Sequence, residues 1–152
     1  MKKFISTLLV LSMAFCLIAC GTKSGTGTTT TYTQSQEGAS VDVVIQSEDD
    51  VVKSMKMITT ISTEGIPEDQ LSMVDPMLEQ ITAPFDGIDG ITSSSDKGDK
   101  AITLTINFDL TKEATLKAMA DTGTPGAGSN VDGKLSLKSL TTELEASGYT
   151  KK

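Results

Sequence analysis

Paired carboxylates or a Ser–Lys couple are the catalytic chemistries this chain could still mount. Its 152 residues include no His, no Arg and no Trp, and its two thiols, Cys16 and Cys20, both stand near the N-terminus. Histidine-based triads, ordinary zinc sites and a thiol nucleophile within the body of the chain are thereby excluded. Neither remaining arrangement has a local signature. Twenty acidic residues are scattered over predicted turns, and among so many, two lying near each other by chance is unremarkable. The sequence therefore predicts no catalytic residue and no enzyme, with a carboxylate-based hydrolase as the remote alternative.

Three other patterns invite chemistry and have plainer explanations. Gly128-Ser129-Asn130-Val131-Asp132-Gly133-Lys134 has the spacing of a phosphate-binding loop up to its Lys, but Leu135 stands where the magnesium-binding Ser or Thr belongs and no strand precedes it. Nucleotide binding is not expected. Asp86 and Asp89, and the loop bearing Asp121, Asn130 and Asp132, offer oxygen ligands to calcium, yet neither set has the alternating acidic spacing of an EF-hand. Asp, Asn and Gly are also what turns require. Seven Met residues raise Cu(I), which soft thioethers select. Met73, Met77 and Met119 fall on predicted helices and Met55 and Met57 on a predicted core face, so packing is the better account. No metal and no cofactor are expected.

The N-terminus carries the one residue with a defined chemical fate. Lys2 and Lys3 precede a mostly apolar run from Phe4 to Ile18, the arrangement of an export signal. The run is about fifteen residues, short of the roughly twenty needed to cross a hydrocarbon core of about 30 Å. It ends in Leu17-Ile18-Ala19-Cys20-Gly21, which resembles the lipobox of bacterial lipoproteins. That resemblance implies a diacylglycerol on the Cys20 thiol and cleavage before it. The competing reading is an ordinary signal peptide cut after Ala19, which leaves a free Cys20. Two or more acyl chains, each buried methylene contributing about 0.8 kcal/mol, hold a protein durably at a membrane. The expected organisation is a signal peptide at 1–19, a lipidated Cys20 with a Gly/Ser/Thr tether at 20–30, and one domain at 31–152.

With Cys16 removed and Cys20 acylated, no disulfide is available, and the domain must fold on its hydrophobic core alone. Processing also removes Lys2 and Lys3, taking the formal charge from −7 to −9. An acidic surface repels phosphate backbones, and all thirteen basic residues are Lys, so no guanidinium fork exists. Nucleic acid is not an expected partner.

Periodicity predicts the elements that must position any site. Thr31 to Ser35 and Ser40 to Ser47 read as strands around a turn at Gly38, and Met55, Met57, Thr59 and Ile61 alternate with Ser54, Lys56, Ile58 and Thr60 in a third. Ile66-Pro67-Glu68-Asp69 opens a predicted helix with the stripe Leu71, Val74, Leu78, Ile81 and Phe85, kinked by Pro76. A strand from Ile91, a turn at Asp96-Lys97-Gly98-Asp99, and the alternation Ile102, Leu104, Ile106, Phe108 follow. A short helix spans about Thr111 to Asp121. The last runs from a Ser136 cap to Gly148, with Leu135 and Leu140 as a hydrophobic staple. The predicted fold is α+β: an antiparallel meander of four or five strands with helices packed on one face.

The order of elements and four local strings resemble the YehR-like bacterial lipoproteins. The strings are Asp50-Val51-Val52, Val74-Asp75-Pro76-Met77, Phe85-Asp86-Gly87-Ile88-Asp89-Gly90-Ile91, and Glu143 to Lys152 with its Gly148-Tyr149. The family often has Leu-Glu-Pro-Leu at the kink and Phe after the final Gly, so this chain departs in detail. The resemblance implies a small lipid-anchored domain without an assigned activity.

If Ile102 to Phe108 turn their apolar side chains toward the helices, Thr103, Thr105 and Asn107 must turn away, and pairing brings Lys56 and Thr60 beside them. These five form the candidate interaction face. An uncovered, merely solvated sheet face is the competing reading. The expected role is a membrane-anchored extracytoplasmic binding or interaction module, or alternatively an envelope structural or assembly factor. Its partners would be the membrane, through its lipid, and an envelope protein or glycan.

Overall fold

The computed structural model describes residues 27–152 apart from 68–70, 72 and 132. The predicted signal peptide, Cys16, Cys20 and the tether up to residue 26 lie outside the described residues. In chain order the strands are β1 (Thr28–Gln36), β2 (Ala39–Glu48), β3 (Val51–Ser62), β4 (Ile91–Lys97), β5 (Ala101–Asp109), β6 (Asn130–Val131), β7 (Lys134–Leu135) and β8 (Thr150–Lys151). The helices are α1 (Val74–Thr82), α2 (Glu113–Thr122) and α3 (Leu137–Ala146). Six strands form one antiparallel sheet in the order β4-β5-β3-β2-β1-β8, and β6 and β7 pair separately.

The architecture is the expected α+β fold with one more strand than the four or five predicted. The addition, β8, is two residues long and pairs with Tyr32 and Thr33 of β1, too short to show any alternation in sequence. β1 also starts earlier than predicted. Thr28 to Thr30 pair with Ser47, Gln46 and Ile45, so the last three residues of the predicted tether belong to the sheet, as β-branched Thr favours.

The central strands of the sheet, β2, β3 and β5, turn residues of one face to a single core. Val43 and Ile45, Met55, and Ile102, Leu104, Ile106 and Phe108 are buried, and the register places Met55 opposite both Ile45 and Phe108. A bulge lies at Lys53, because Ser47 pairs with Val52 while Gln46 pairs with Ser54. One extra residue resets the alternation. Val52 and Met55, three apart, consequently both face inward. Leu78 of α1, Leu116 and Met119 of α2, and Leu140 and Leu144 of α3 close the same core.

The predicted opening of the first helix at Glu68 and Asp69 lies outside the described residues, while Leu71 is helical and its N–H donates to the Pro67 carbonyl at 3.2 Å. After a turn at Met73 a helical segment runs from Val74, which puts Pro76 in its first turn rather than inside one kinked helix. A proline ring crowds the carbonyl four residues earlier and donates no hydrogen bond, conditions that a first turn accommodates. The helix phase then buries Leu78, leaves Ile81 exposed, and gives way to a 3-10 turn at Ala83–Phe85 that buries Phe85. Met73 and Met77 are 70% and 44% exposed. The packing role expected for these two is therefore wrong, while Met55 and Met119 are core residues.

The ends of α2 and α3 are set by local chemistry. Gly123 closes α2 in the left-handed region at φ 66°. Ser136 caps α3 by accepting from the Ser139 N–H at 3.3 Å, and Leu135 and Leu140 are buried as the staple requires. Gly148 has φ 88°, and the Tyr149 N–H donates to the Leu144 carbonyl at 3.0 Å. Among the described residues, no helix is long and apolar enough to cross a membrane.

Candidate functional site

The face of the sheet opposite the helices is built by register. Lys56 lies across from Asn107, Ile58 from Thr105 and Thr60 from Thr103. The five residues singled out in sequence thus occupy one surface, alternating with side chains that are buried on the other. No described helix packs on this surface, and its Thr103, Thr105 and Asn107 are half-buried by their strand neighbours alone.

The neighbouring strands extend the surface with hydroxyl groups. Thr92 pairs with Asn107 and Ser94 with Thr105, and the Asn107 side-chain amide donates to the Thr92 hydroxyl at 3.3 Å. On the other side Ser40 pairs with Thr60 and Val44 with Lys56, followed by Thr31 and Thr33 of β1. Ser54 donates to the Gln46 side-chain oxygen at 2.9 Å. These internal bonds hold the hydroxyl and amide groups in place.

Charge on the face is sparse, with one ion pair among the described residues. The Lys152 ammonium donates to both carboxylate oxygens of Asp42 at 2.9 Å, tying the C-terminus to β2. Lys56 is exposed and has no ion pair among the described residues. Val44 and Ile58 add a half-buried apolar centre. Neither was named for the face in sequence: Val44 sits between the inward Val43 and Ile45, and Ile58, though in the same alternating row as Lys56 and Thr60, is apolar; the register sets Ile58 opposite Asp42.

The residues weighed for metal chemistry are placed elsewhere. Asp89 is paired with Lys112 at 3.3 Å and Asp121 with Lys117 at 3.6 Å, Asp86 is exposed, and Asp132 lies outside the described residues. No group of three or more acidic side chains converges among the described residues. The Gly128 to Lys134 string spans part of a 3-10 turn and the β6–β7 hairpin, not a strand-to-helix junction.

The most strongly organised carboxylate is structural. Asp50, in the β2–β3 turn, accepts from the Lys138 backbone N–H at 2.9 Å and from the Ser136 hydroxyl at 2.8 Å. Its own carbonyl accepts from the Leu137 N–H at 2.8 Å. Asp50 therefore caps α3 from across the fold, and the Lys138 N–H, then the Ser136 hydroxyl, lower its pKa below the usual carboxylate range. Nothing in the local sequence announces a cap 86 residues distant from Ser136.

Comparison with known proteins agrees with this architecture. The chain is 32% identical over 152 residues to the uncharacterised lipoprotein Lmo0207 of Listeria monocytogenes, covering 98% of this chain and 95% of that one. It is 28% identical over 155 residues to the uncharacterised lipoprotein Lin0239 of Listeria innocua, with the same coverage. The fold matches the NMR structure of the YehR protein of Escherichia coli with a TM-score of 0.67 at 14% identity, over 85% of this chain and 93% of that one. It also matches the NMR structure of a Streptococcus pneumoniae protein with a TM-score of 0.55 at 14% identity, over 99% of each. Coverage by the Listeria relatives takes in the N-terminal segment as well as the domain, and the chain, like them, is a lipoprotein anchored at the cell surface by lipid. Residues 28–150 match the model of the family described as "Protein of unknown function (DUF1307)", and the chain belongs to that family.

Proposed function

We propose that this lipoprotein is a non-enzymatic binding module, anchored through Cys20 after removal of residues 1–19, whose open sheet face docks an envelope protein. The observation that carries the reading is the surface of Lys56, Thr60, Thr103, Thr105 and Asn107, held flat by a buried core and uncovered by any described helix. Hydroxyl and amide groups on rigid strands offer donors and acceptors at fixed spacing. A protein partner is favoured over a glycan because the outward residues of β3 and β5 include no aromatic ring on which a sugar could stack.

The anchor is tested by Cys20→Ser, which abolishes fatty-acid incorporation; unchanged acyl labelling removes Cys20 from its role. The face is tested by crosslinking intact envelopes and recovering the tethered protein, wild type or carrying Thr103→Lys with Thr105→Lys. A partner band present for wild type and lost in the double variant supports the reading. Recovery of the same partner at wild-type yield overturns it, and recovery of glycan alone reassigns the face.

A further inference from the structure

The two edges of the sheet are treated differently. The β1 edge is sealed: β8 pairs with Tyr32 and Thr33, the Lys152 N–H donates to the Thr31 carbonyl at 3.0 Å, and the Gln34 amide donates to the Ser147 carbonyl at 2.9 Å. At the opposite edge, among the described residues, β4 pairs with β5 alone. From Thr92 to Lys97 every residue of β4 is exposed.

Backbone parity shows what this edge presents. The Asp109 N–H donates to the Gly90 carbonyl at 2.7 Å and the Gly98 N–H to the Ala101 carbonyl at 2.9 Å. Antiparallel ladders alternate hydrogen-bonded with non-hydrogen-bonded pairs. Thr92, Ser94 and Asp96 therefore bond to β5, while Ser93, Ser95 and Lys97 turn their N–H and C=O groups outward. The same three residues put their side chains on the helix side, because they pair with the inward Ile106, Leu104 and Ile102. There they border a cleft of about 340 Å³ between β4 and α1, with Leu78 and Leu104 beneath and Asp75, Glu79 and Thr82 opposite.

We propose that β4 accepts an extended, basic segment of a partner protein as an additional strand, with alternate side chains of that segment entering the α1–β4 cleft. Strand addition supplies affinity through main-chain bonds and specificity through pockets for every second side chain. The charge of the cleft selects the occupant. Lys97 is already paired with Asp75, whereas Glu79 has no ion pair among the described residues. A Lys or Arg of the added strand fills that vacancy of charge. A second copy of this chain brings its own Asp75, Glu79 and Asp96 to the edge, on a chain of net charge −7, and is disfavoured by like-charge repulsion. The site is separate from the open sheet face and stands without it.

Phage-displayed random dodecapeptides selected on the full lipidated protein in detergent micelles test the proposal. Enriched peptides carry Lys or Arg at alternate positions, and their affinity falls by about tenfold or more in both Ser95→Pro and Glu79→Lys. The proline removes an outward N–H and spares the ladder to β5, the setting in which strands tolerate it. If Ser95→Pro unfolds, the helix-surface variant Glu79→Lys decides alone. Absence of enrichment, or binding that survives in the folded variants, overturns the proposal. So does binding lost only with Thr103→Lys and Thr105→Lys, which locates the peptide on the open face. A dimer in sedimentation that dissociates in Ser95→Pro assigns the edge to a second copy and likewise overturns it.

Discussion

β5 shows both surfaces of the molecule within nine residues: Ile102, Leu104, Ile106 and Phe108 are buried, and Thr103, Thr105 and Asn107 between them lie on a face that no described helix covers. The difference separates what holds the fold from what is free to recognise. Inward side chains are constrained by volume, since cores are packed as densely as organic crystals. Outward ones are constrained only by strand propensity and solubility, so the same strand can keep its stability while its outer residues serve a partner.

The largest expected effect comes from the inner face. Phe108 is 1% exposed and its ring meets Phe85 edge-on, with centroids 5.5 Å apart and planes at 88°. Phe108→Ala removes that contact and leaves a cavity beneath the 3-10 turn at Ala83–Phe85, a change that costs about 3–5 kcal/mol. Urea unfolding followed by circular dichroism measures it. A loss below about 1 kcal/mol, the scale of an ordinary surface change, would erase the distinction between the two faces.

The inner face was also the legible one. Strict alternation in β5, the Ser136 cap and the Gly148 stop are local signals, and each corresponds to the observed element. Open-face composition was legible for the same reason, because period two assigns both faces of a strand at once. Features that depend on distant partners were not. The bulge at Lys53 and the two-residue β8 follow from register, which no single segment encodes. Met73 and Met77 were misassigned because placement on a predicted helix does not say which side is buried: Met73 falls in a turn, and Met77 stands on the exposed side next to the inward Leu78. The bare β4 edge was equally hidden, since sequence showed a strand but not which strand stood outermost.

The cap from Asp50 lies between the two extremes, exposed yet tied to the core through α3. Its pKa is lowered by the Lys138 N–H and the Ser136 hydroxyl, so the folded state binds its proton less readily than the unfolded chain. Stabilisation from such a group is present above the unfolded value of about 3.9 and is lost as pH falls through the lower folded value. Asp50→Asn keeps one acceptor and loses the charge. Thermal melts are expected to show the variant less stable than wild type at neutral pH, with the gap closing as the pH falls below the unfolded carboxylate value of about 3.9. Parallel curves through that fall in pH would mean that the cap contributes nothing through its charge. Carboxylates common to both proteins, Asp109 among them, cancel in the difference.

The smallest expected effect is the sharpest comparison, because it needs a step of only one residue along β5. Thr105 lies between Leu104 and Ile106, opposite Ile58 on one side and Ser94 on the other, with its side chain on the uncovered face. A Lys there can extend past the half-buried Ile58 with its methylenes in contact and its ammonium in water. Thr103, opposite Thr60 and Asp96, gives a substituted Lys an acidic neighbour rather than a like charge. Thr103→Lys with Thr105→Lys is therefore expected to change stability by no more than about 0.5 kcal/mol per site, where Phe108→Ala costs several. Urea midpoints for the double variant and wild type, taken at equal m values, measure the difference. A loss of about 2 kcal/mol or more would place these threonines among the structural residues and remove the freedom that recognition on this face requires. A near-neutral result, combined with loss of the crosslinked partner, separates binding from folding on a single strand.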